Sequence, residues 1–251
     1  MYRFSICPDK EIAPAFGIAN LELKDGCFGL PLAQLNGKRL ELIRNKLIAD
    51  RARIVLYTLS MPLSDYDAYL NAFRAAHLLR IENIKLCLCT LRDADEATWQ
   101  NLARILELGK DAGIRILFEP KAEYDFFTSD TYKKIRSDST GLIFNPAEYV
   151  KQGKNPFLGV LYKSKFKHDI VVLRINDWIA QGVLPGQGVL PGQGALPGQG
   201  ALPGLGNAEI KECVSALLAQ NFDGYFSICC YGEERNLDDI LNQFTLLLME
   251  M

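Results

Sequence analysis

Four polar residues stand at the ends of short apolar runs, where predicted strands lead into loops. They are Glu119 in ILFEP, Asn145 in GLIFNP, Arg174 in VVLRIND and Cys229 in GYFSIC. A carboxylate can ligate a hard cation or move a proton, and an amide oxygen can coordinate without adding charge. A guanidinium binds anions, whereas a thiolate prefers softer metals. Glu22, at the end of the second predicted strand, and Asp177, shortly after the seventh, complete the candidate functional residues.

Elements that could position these residues follow from the alternation of apolar runs with segments of helical period. The predicted strands are Tyr2–Cys7, Ala19–Leu23, Arg53–Thr58, Ile84–Cys89, Ile114–Glu119, Gly141–Asn145, Asp169–Ile175 and Gly224–Cys229. The clearest predicted helix is Asp95–Ala112, which Gly113 ends, and a short helix is predicted around Glu11–Phe16. This alternation predicts a parallel sheet covered by helices.

The count of eight strands favours a closed (β/α)8 TIM barrel over an open doubly wound sheet. No GxGxxG or GxxxxGKS/T stretch follows the first predicted strand, so the sequence gives little support to a nucleotide-binding open sheet. The length of 251 residues is close to the roughly 250 residues typical of one such barrel. We therefore expect a single barrel domain over residues 1–251.

The order and setting of the four strand ends resemble those of the xylose-isomerase-like family of sugar isomerases and epimerases. The resemblance covers nearly the whole chain. It implies a TIM barrel that moves a proton between adjacent sugar carbons with one divalent metal such as Mn, Mg, Co or Zn. The family holds that metal with Glu, Asp, His and Glu. Here Glu119 matches, whereas Asn145 replaces the Asp, Arg174 replaces the His and Cys229 replaces the second Glu.

Arg174 is the departure that weighs most against a metal. A guanidinium has no lone pair to donate and stays charged. At an effective dielectric constant of 20, a dication about 4 Å away would meet roughly 8 kcal/mol of repulsion. We therefore expect no metal cofactor and expect Arg174 to occupy the metal's place, paired with Glu119. The alternative is that Arg174 points outward because the strand register differs by one residue.

Residues 183–206 form a tandem repeat, VLPGQG, VLPGQG, ALPGQG and ALPGLG. Because Pro-Gly suits the centre of a type II turn, we predict turns or coil there, without a helix or a long strand. The resembling barrels carry one Pro-Gly-x-Gly-like turn after the seventh strand, so the repeat is interpreted as an insertion that multiplies this turn. It is either a tolerated surface loop or a lid or arm, and the arm would make the protein a homo-oligomer.

The charge and the cysteine content limit which binding partners and which cellular compartment we expect. The formal net charge of −2 gives no electrostatic reason to expect a nucleic acid or a membrane as partner. The chain has neither a signal-peptide pattern nor an apolar stretch near the ~20 residues that span a bilayer. Seven cysteines, several of them in apolar strand runs, are typical of reduced thiols. We therefore expect a cytoplasmic protein with a small-molecule partner.

Three functional hypotheses follow. The first is an isomerase-like barrel that binds a small sugar or sugar phosphate but has lost the metal-dependent chemistry. Its ligand-binding residues would be Glu22, Asn145, Arg174, Asp177 and Cys229. The second is an active isomerase or epimerase with a rearranged site, in which Glu119 is catalytic together with one unidentified partner. The third is an interaction protein that uses the repeat.

Overall fold

The computed structural model describes residues 2–7, 17–86, 95–120, 130–184, 187, 197–229 and 237–251. Eight of its strands close into a barrel. They are β1 (Arg3–Cys7), β2 (Asn20–Lys24), β3 (Arg53–Thr58), β4 (Asn83–Leu86), β5 (Arg115–Phe118), β6 (Thr140–Phe144), β7 (Ile170–Arg174) and β10 (Tyr225–Cys229). Strand pairs such as β3·β4 and β7·β10 are parallel. The predicted (β/α)8 barrel is confirmed.

Two further strands lie between β7 and the next helix. These are β8 (Asp177–Ala180) and β9 (Gly198–Ala201), which pair antiparallel in a separate sheet. β9 takes its residues from the third and fourth copies of the repeat, so one part of the repeat forms a short strand.

Within the described residues, an α-helix follows each barrel strand after β1. These helices are α1 (Gly37–Ala49), α2 (Tyr66–Leu78), α3 (Glu96–Ala112), α4 (Asp130–Ile135), α5 (Pro146–Lys151), α6 (Ile210–Leu218) and α7 (Leu237–Met249). The best predicted of them, α3, is capped by Asp95, whose Oδ1 accepts the backbone N–H of Thr98 at 2.8 Å, and it ends at Gly113 with a φ of 67°. The helix predicted around Glu11–Phe16 lies outside the described residues. None of the described helices combines the length and apolar character required to cross a membrane.

The chain divides into two compact units. The first comprises Met1–Phe4, Pro120–Lys134 and Leu142–Met251, and the second comprises Ser5–Glu119 and Ile135–Gly141. The single domain expected over residues 1–251 stays a prediction.

Packing between strands and helices fixes which face of each strand is turned toward the helices. In the first unit, Phe226 of β10 packs against Phe244 of α7 with ring centroids 5.5 Å apart. In the second unit, Ile116 of β5 lies so close to α3 that a Cβ at Gly109 would be 2.7 Å from its Cδ1. Because side chains alternate along a strand, the neighbours of Phe226 and Ile116 point to the opposite face.

Candidate functional site

Glu119 and Lys85 lie on the face of their strands opposite the helices. Ile116 contacts α3, so Leu117 and then Glu119, which directly follows β5, point the other way. Lys85 of β4 is the register partner of Leu117. Residues paired across neighbouring parallel strands point to the same side, so Lys85 and Glu119 share one face.

The two side chains form an ion pair. Nζ of Lys85 donates to Oε2 of Glu119 at 2.5 Å, and the side chains are 19% and 15% exposed. At this degree of burial the attraction is screened less than on the surface. The pattern of strand-end residues does not predict Lys85. The signal that could have found it is a lone charge inside the apolar run IKLCLC.

Glu22 of β2 is a second buried carboxylate in the same unit. It is 3% exposed, and its Oε1 accepts the hydroxyl of Ser5 in β1 at 2.5 Å. Burying a carboxylate without hydrogen bonds costs free energy. The hydrogen bond from Ser5 offsets part of that cost. The ligand-binding role expected for Glu22 stays a prediction.

Arg174 ends β7 in the first unit and is 2% exposed. Its register partner is Ser227 of β10, and its Nη1 donates to the Ser227 Oγ at 2.6 Å. Because Phe226 faces α7, Ser227 and Arg174 lie on the face away from the helices. The alternative in which Arg174 points outward is therefore wrong. Glu119 belongs to the other unit, and its pairing with Arg174 stays a prediction.

Asn145 and Cys229 stand at the ends of β6 and β10 as the sequence predicts. Asn145 is 5% exposed and precedes α5 at its N-cap position. Phe144 packs against Tyr149 of α5, so Asn145 follows on the opposite face. Cys229 is the last residue of β10. Ligand binding by either residue stays a prediction.

Asp177 holds the end of the repeat to the barrel. Its carboxylate is buried and accepts four backbone N–H groups, two on each oxygen. Trp178 and Ala208 donate to Oδ1 at 2.8 and 2.9 Å, and Gly204 and Gly206 donate to Oδ2 at 2.9 Å each. Burial raises the pKa of Asp177 and outweighs these hydrogen bonds, which lower it. The geometry gives Asp177 a structural role, and its expected ligand-binding role stays a prediction.

Asn207 is a second anchor of the same segment that the sequence pattern did not reveal. Its Oδ1 accepts the N–H of Ala180 at 2.9 Å, and its Nδ2 donates to the carbonyl oxygens of Leu184 and Gln187 at 2.7 and 3.0 Å. Asn207 follows directly on the fourth copy of the repeat. Asp177 therefore holds the fourth copy in place, and Asn207 binds Leu184 and Gln187 of the first copy.

Among the described residues, no three His, Cys, Asp or Glu side chains come together in a way that could hold a metal ion. Neither histidine follows a barrel strand. His77 is an exposed residue of α2, and His168 lies in a short 3-10 helix, Lys167–Asp169, before β7.

Comparison with known proteins identifies the family of the chain. The model of the xylose isomerase-like TIM barrel family matches residues 67–245. No curated protein matches the sequence.

Solved structures share the fold at low sequence identity. A xylose isomerase domain protein from Planctomyces limnophilus is 14% identical, with a TM-score of 0.72 over 99% of this chain and 96% of that one. A xylose isomerase-like TIM barrel protein from Mycobacterium smegmatis, in complex with magnesium, is 14% identical, with a TM-score of 0.65 over 93% and 83%. D-psicose 3-epimerase from Clostridium cellulolyticum H10, with D-tagatose, is 10% identical, with a TM-score of 0.62 over 93% and 88%.

These matches and the closed parallel barrel agree with the resemblance drawn from the strand-end residues. The family model covers well over half of the chain. The protein belongs to the xylose isomerase-like TIM barrel family, whose members include sugar isomerase- and epimerase-like barrels.

Proposed function

We propose that this protein binds a small sugar or sugar phosphate within an isomerase-like barrel and does so without the divalent metal of its family. The observation that carries the proposal is the ion pair between Lys85 and Glu119. Glu119 is the one family metal ligand that the chain keeps, and its Oε2 accepts a hydrogen bond from a cation that belongs to the protein itself.

The residues at the family's metal positions do not fit a hard divalent ion. A dication about 4 Å from the Lys85 ammonium would meet roughly 8 kcal/mol of repulsion at an effective dielectric constant of 20. Arg174 offers no lone pair where the family has an imidazole. Asn145 offers an uncharged oxygen, which compensates none of the ion's charge. The chain's donors therefore favour an anionic or carbonyl oxygen over a metal.

Buried positive groups on the inner faces of the strands support a sugar or sugar phosphate as ligand. Arg174 in the first unit and Lys85 in the second are both charged donors on the face away from the helices. Arginine suits a phosphate or carboxylate, which it can bind with two parallel hydrogen bonds. The relationship to D-psicose 3-epimerase, solved with D-tagatose, points to ketoses as the first compounds to test.

A second candidate function is an active isomerase or epimerase with a rearranged site. Retention of Glu119 beside a proton donor, Lys85, favours it. The roles of the repeat as an arm, of a homo-oligomer and of the cytoplasm as location stay predictions.

Ligand binding with and without metal tests the proposal. Full-length protein purified without chelator is analysed for Mn, Co and Zn, then treated with EDTA and titrated with ketoses and ketose phosphates by calorimetry. We expect substoichiometric metal and binding that EDTA leaves unchanged. Lys85→Met should weaken binding by about tenfold, equivalent to roughly 1.4 kcal/mol.

Lys46→Met is the matched control, because Lys46 forms a surface ion pair with Asp50 and should leave binding unchanged. Stoichiometric, tightly held metal, or no binding of any sugar or sugar phosphate at millimolar concentration, would refute the proposal.

A further inference from the structure

We propose that Lys85 and Glu119 are a metal-free acid–base pair that moves a proton at the carbon next to a sugar carbonyl. The inference rests on the proposed sugar-binding function and adds a reaction and a second catalytic residue to it. Lys85 would hydrogen-bond to the carbonyl oxygen of a ketose, while Glu119 removes the proton from the neighbouring carbon.

The Lys85 ammonium has hydrogen-bond donors that the described residues do not use and that such a ligand could accept. An ammonium group carries three N–H donors and no acceptor. Among the described residues, Glu119 is its one hydrogen-bond partner, at 2.5 Å. The side chain is only 19% exposed. A mostly buried ammonium with two donors that the described residues do not use is suited to bind an oxygen atom of a ligand.

Glu119 is placed to act as the base of the proton transfer. It lies beside Lys85 on the face away from the helices and is 15% exposed. The acid and the base are thus side by side, as a carbonyl oxygen and the adjacent C–H group are in a ketose. General acid–base catalysis requires this proximity of both groups to the atoms that exchange protons.

The step balances without a metal, an oxidant or a reductant. Glu119 accepts the proton of the C–H bond, and the electron pair of that bond forms a C=C bond. The π pair of the carbonyl group moves to its oxygen, which takes a proton from Lys85, so that a neutral enediol forms. Return of the proton from Glu119 to the same carbon gives exchange, and the amine of Lys85 then recovers its proton from the oxygen that received it. Return of the proton to the former carbonyl carbon gives isomerisation, and Lys85 then takes the proton of the neighbouring enediol hydroxyl, which becomes the new carbonyl group.

Exchange of carbon-bound hydrogen in D2O tests this step separately from binding. EDTA-treated full-length protein is incubated with 2-ketohexoses and their phosphates, and NMR follows the loss of the signals of hydrogens next to the carbonyl group. We expect the wild type to accelerate exchange in the sugar that it binds. Lys85→Ala and Glu119→Ala should each slow exchange at least 100-fold, and Lys46→Met should not change it.

Chemical rescue separates proton transfer from a purely structural ion pair. Formate should restore part of the exchange in Glu119→Ala, and methylammonium should restore part of it in Lys85→Ala. The double variant Lys85→Met/Glu119→Gln removes both charges of the pair. It should fold even if the single variants do not, and it should be inactive.

The remaining outcomes distinguish a failure of the acid–base pair from a failure of the proposed sugar-binding function. A sugar that binds to the wild type but shows no exchange overturns the acid–base pair and leaves the proposed function standing. Exchange that persists in the double variant, or that EDTA abolishes, overturns the pair as well. If no sugar or sugar phosphate binds, the proposed function fails and takes this inference with it.

Discussion

The backbone N–H of Gly206 donates to Oδ2 of Asp177 at 2.9 Å, and this contact leaves no room for a side chain at position 206. A Cβ there would overlap Oδ1 of Asp177 and lie 2.8 Å from the carbonyl oxygen of Trp178. The final glycine of the last repeat copy is therefore fixed by packing against the buried carboxylate.

We expect Gly206→Ala to lower the free energy of unfolding by about 2 kcal/mol, because overpacking a closed site typically costs ~1–3 kcal/mol. Urea denaturation measures it. Gly37→Ala is the matched control. Gly37 begins α1, and a Cβ at this position would have no neighbour within 4 Å, so alanine should be neutral or stabilise by up to ~1 kcal/mol. Equal effects of the two changes would contradict the packing argument.

Asp177→Asn should destabilise the protein by about 2–4 kcal/mol. Each carboxylate oxygen accepts two backbone N–H groups, and an amide would turn its own NH2 donor toward one of these pairs. Buried donors left without an acceptor cost ~1–3 kcal/mol each. Asp223→Asn is the control, since the Asp223 side chain is 99% exposed and its loss should cost less than ~0.5 kcal/mol. A loss below ~1 kcal/mol for Asp177→Asn would exclude the anchoring role.

Deletion of residues 183–200, the first three repeat copies, should destabilise the protein modestly. Ala201 is the register partner of Asp177, so residues 178–182 would become a five-residue hairpin loop. The shorter loop gains roughly 1 kcal/mol of closure entropy, but the deletion removes the carbonyl oxygens of Leu184 and Gln187 that accept hydrogen bonds from Asn207. A buried donor left without an acceptor costs ~1–3 kcal/mol, so we expect the free energy of unfolding to fall by about 1–2 kcal/mol. Urea denaturation measures this change, and light scattering measures the oligomeric state. A change of oligomeric state would instead identify an arm.

Lys85→Met should destabilise the protein more than the double variant Lys85→Met/Glu119→Gln. Removing Lys85 takes the ammonium partner away from the mostly buried carboxylate of Glu119 and costs about 3 kcal/mol. The double variant removes both charges and should recover most of that loss. A double-mutant cycle by urea denaturation gives the coupling energy. A coupling energy near zero would mean that Lys85 and Glu119 contribute to stability independently.

Cys213 should resist alkylation until the protein unfolds. The residue is completely buried in α6, and burial raises the pKa of its thiol, with a further contribution from the negative charge of Glu209. The reactive species is the thiolate, which burial disfavours. We expect iodoacetamide at pH 8 to label Cys213 at least tenfold more slowly than the partly exposed Cys27, as read by peptide mass spectrometry. Comparable rates in the native protein would refute the burial of α6.

The fold could be predicted from local patterns. Apolar runs that alternate with helical periods indicated eight strands, and β3 has the predicted bounds, Arg53–Thr58. The ends of a helix also depend on residues close in sequence. The N-cap of α3 is Asp95 and its C-cap is Gly113, which agrees with the predicted helix Asp95–Ala112. Of the strand predicted over Ile84–Cys89, the described part lies in β4 (Asn83–Leu86), and residues 87–89 lie outside the described residues. Such patterns suffice because strand and helix periods depend on neighbours close in sequence.

The amino-acid sequence by itself determined the barrel and the polar residues at its strand ends, such as Arg174 at the end of β7. Only the tertiary structure decided the partners: Lys85 for Glu119, 34 residues away, and Gly206 for Asp177, 29 residues away. Periodicity reports which face of a strand is buried. It does not report which atoms meet across strands, because register is set only when the sheet assembles.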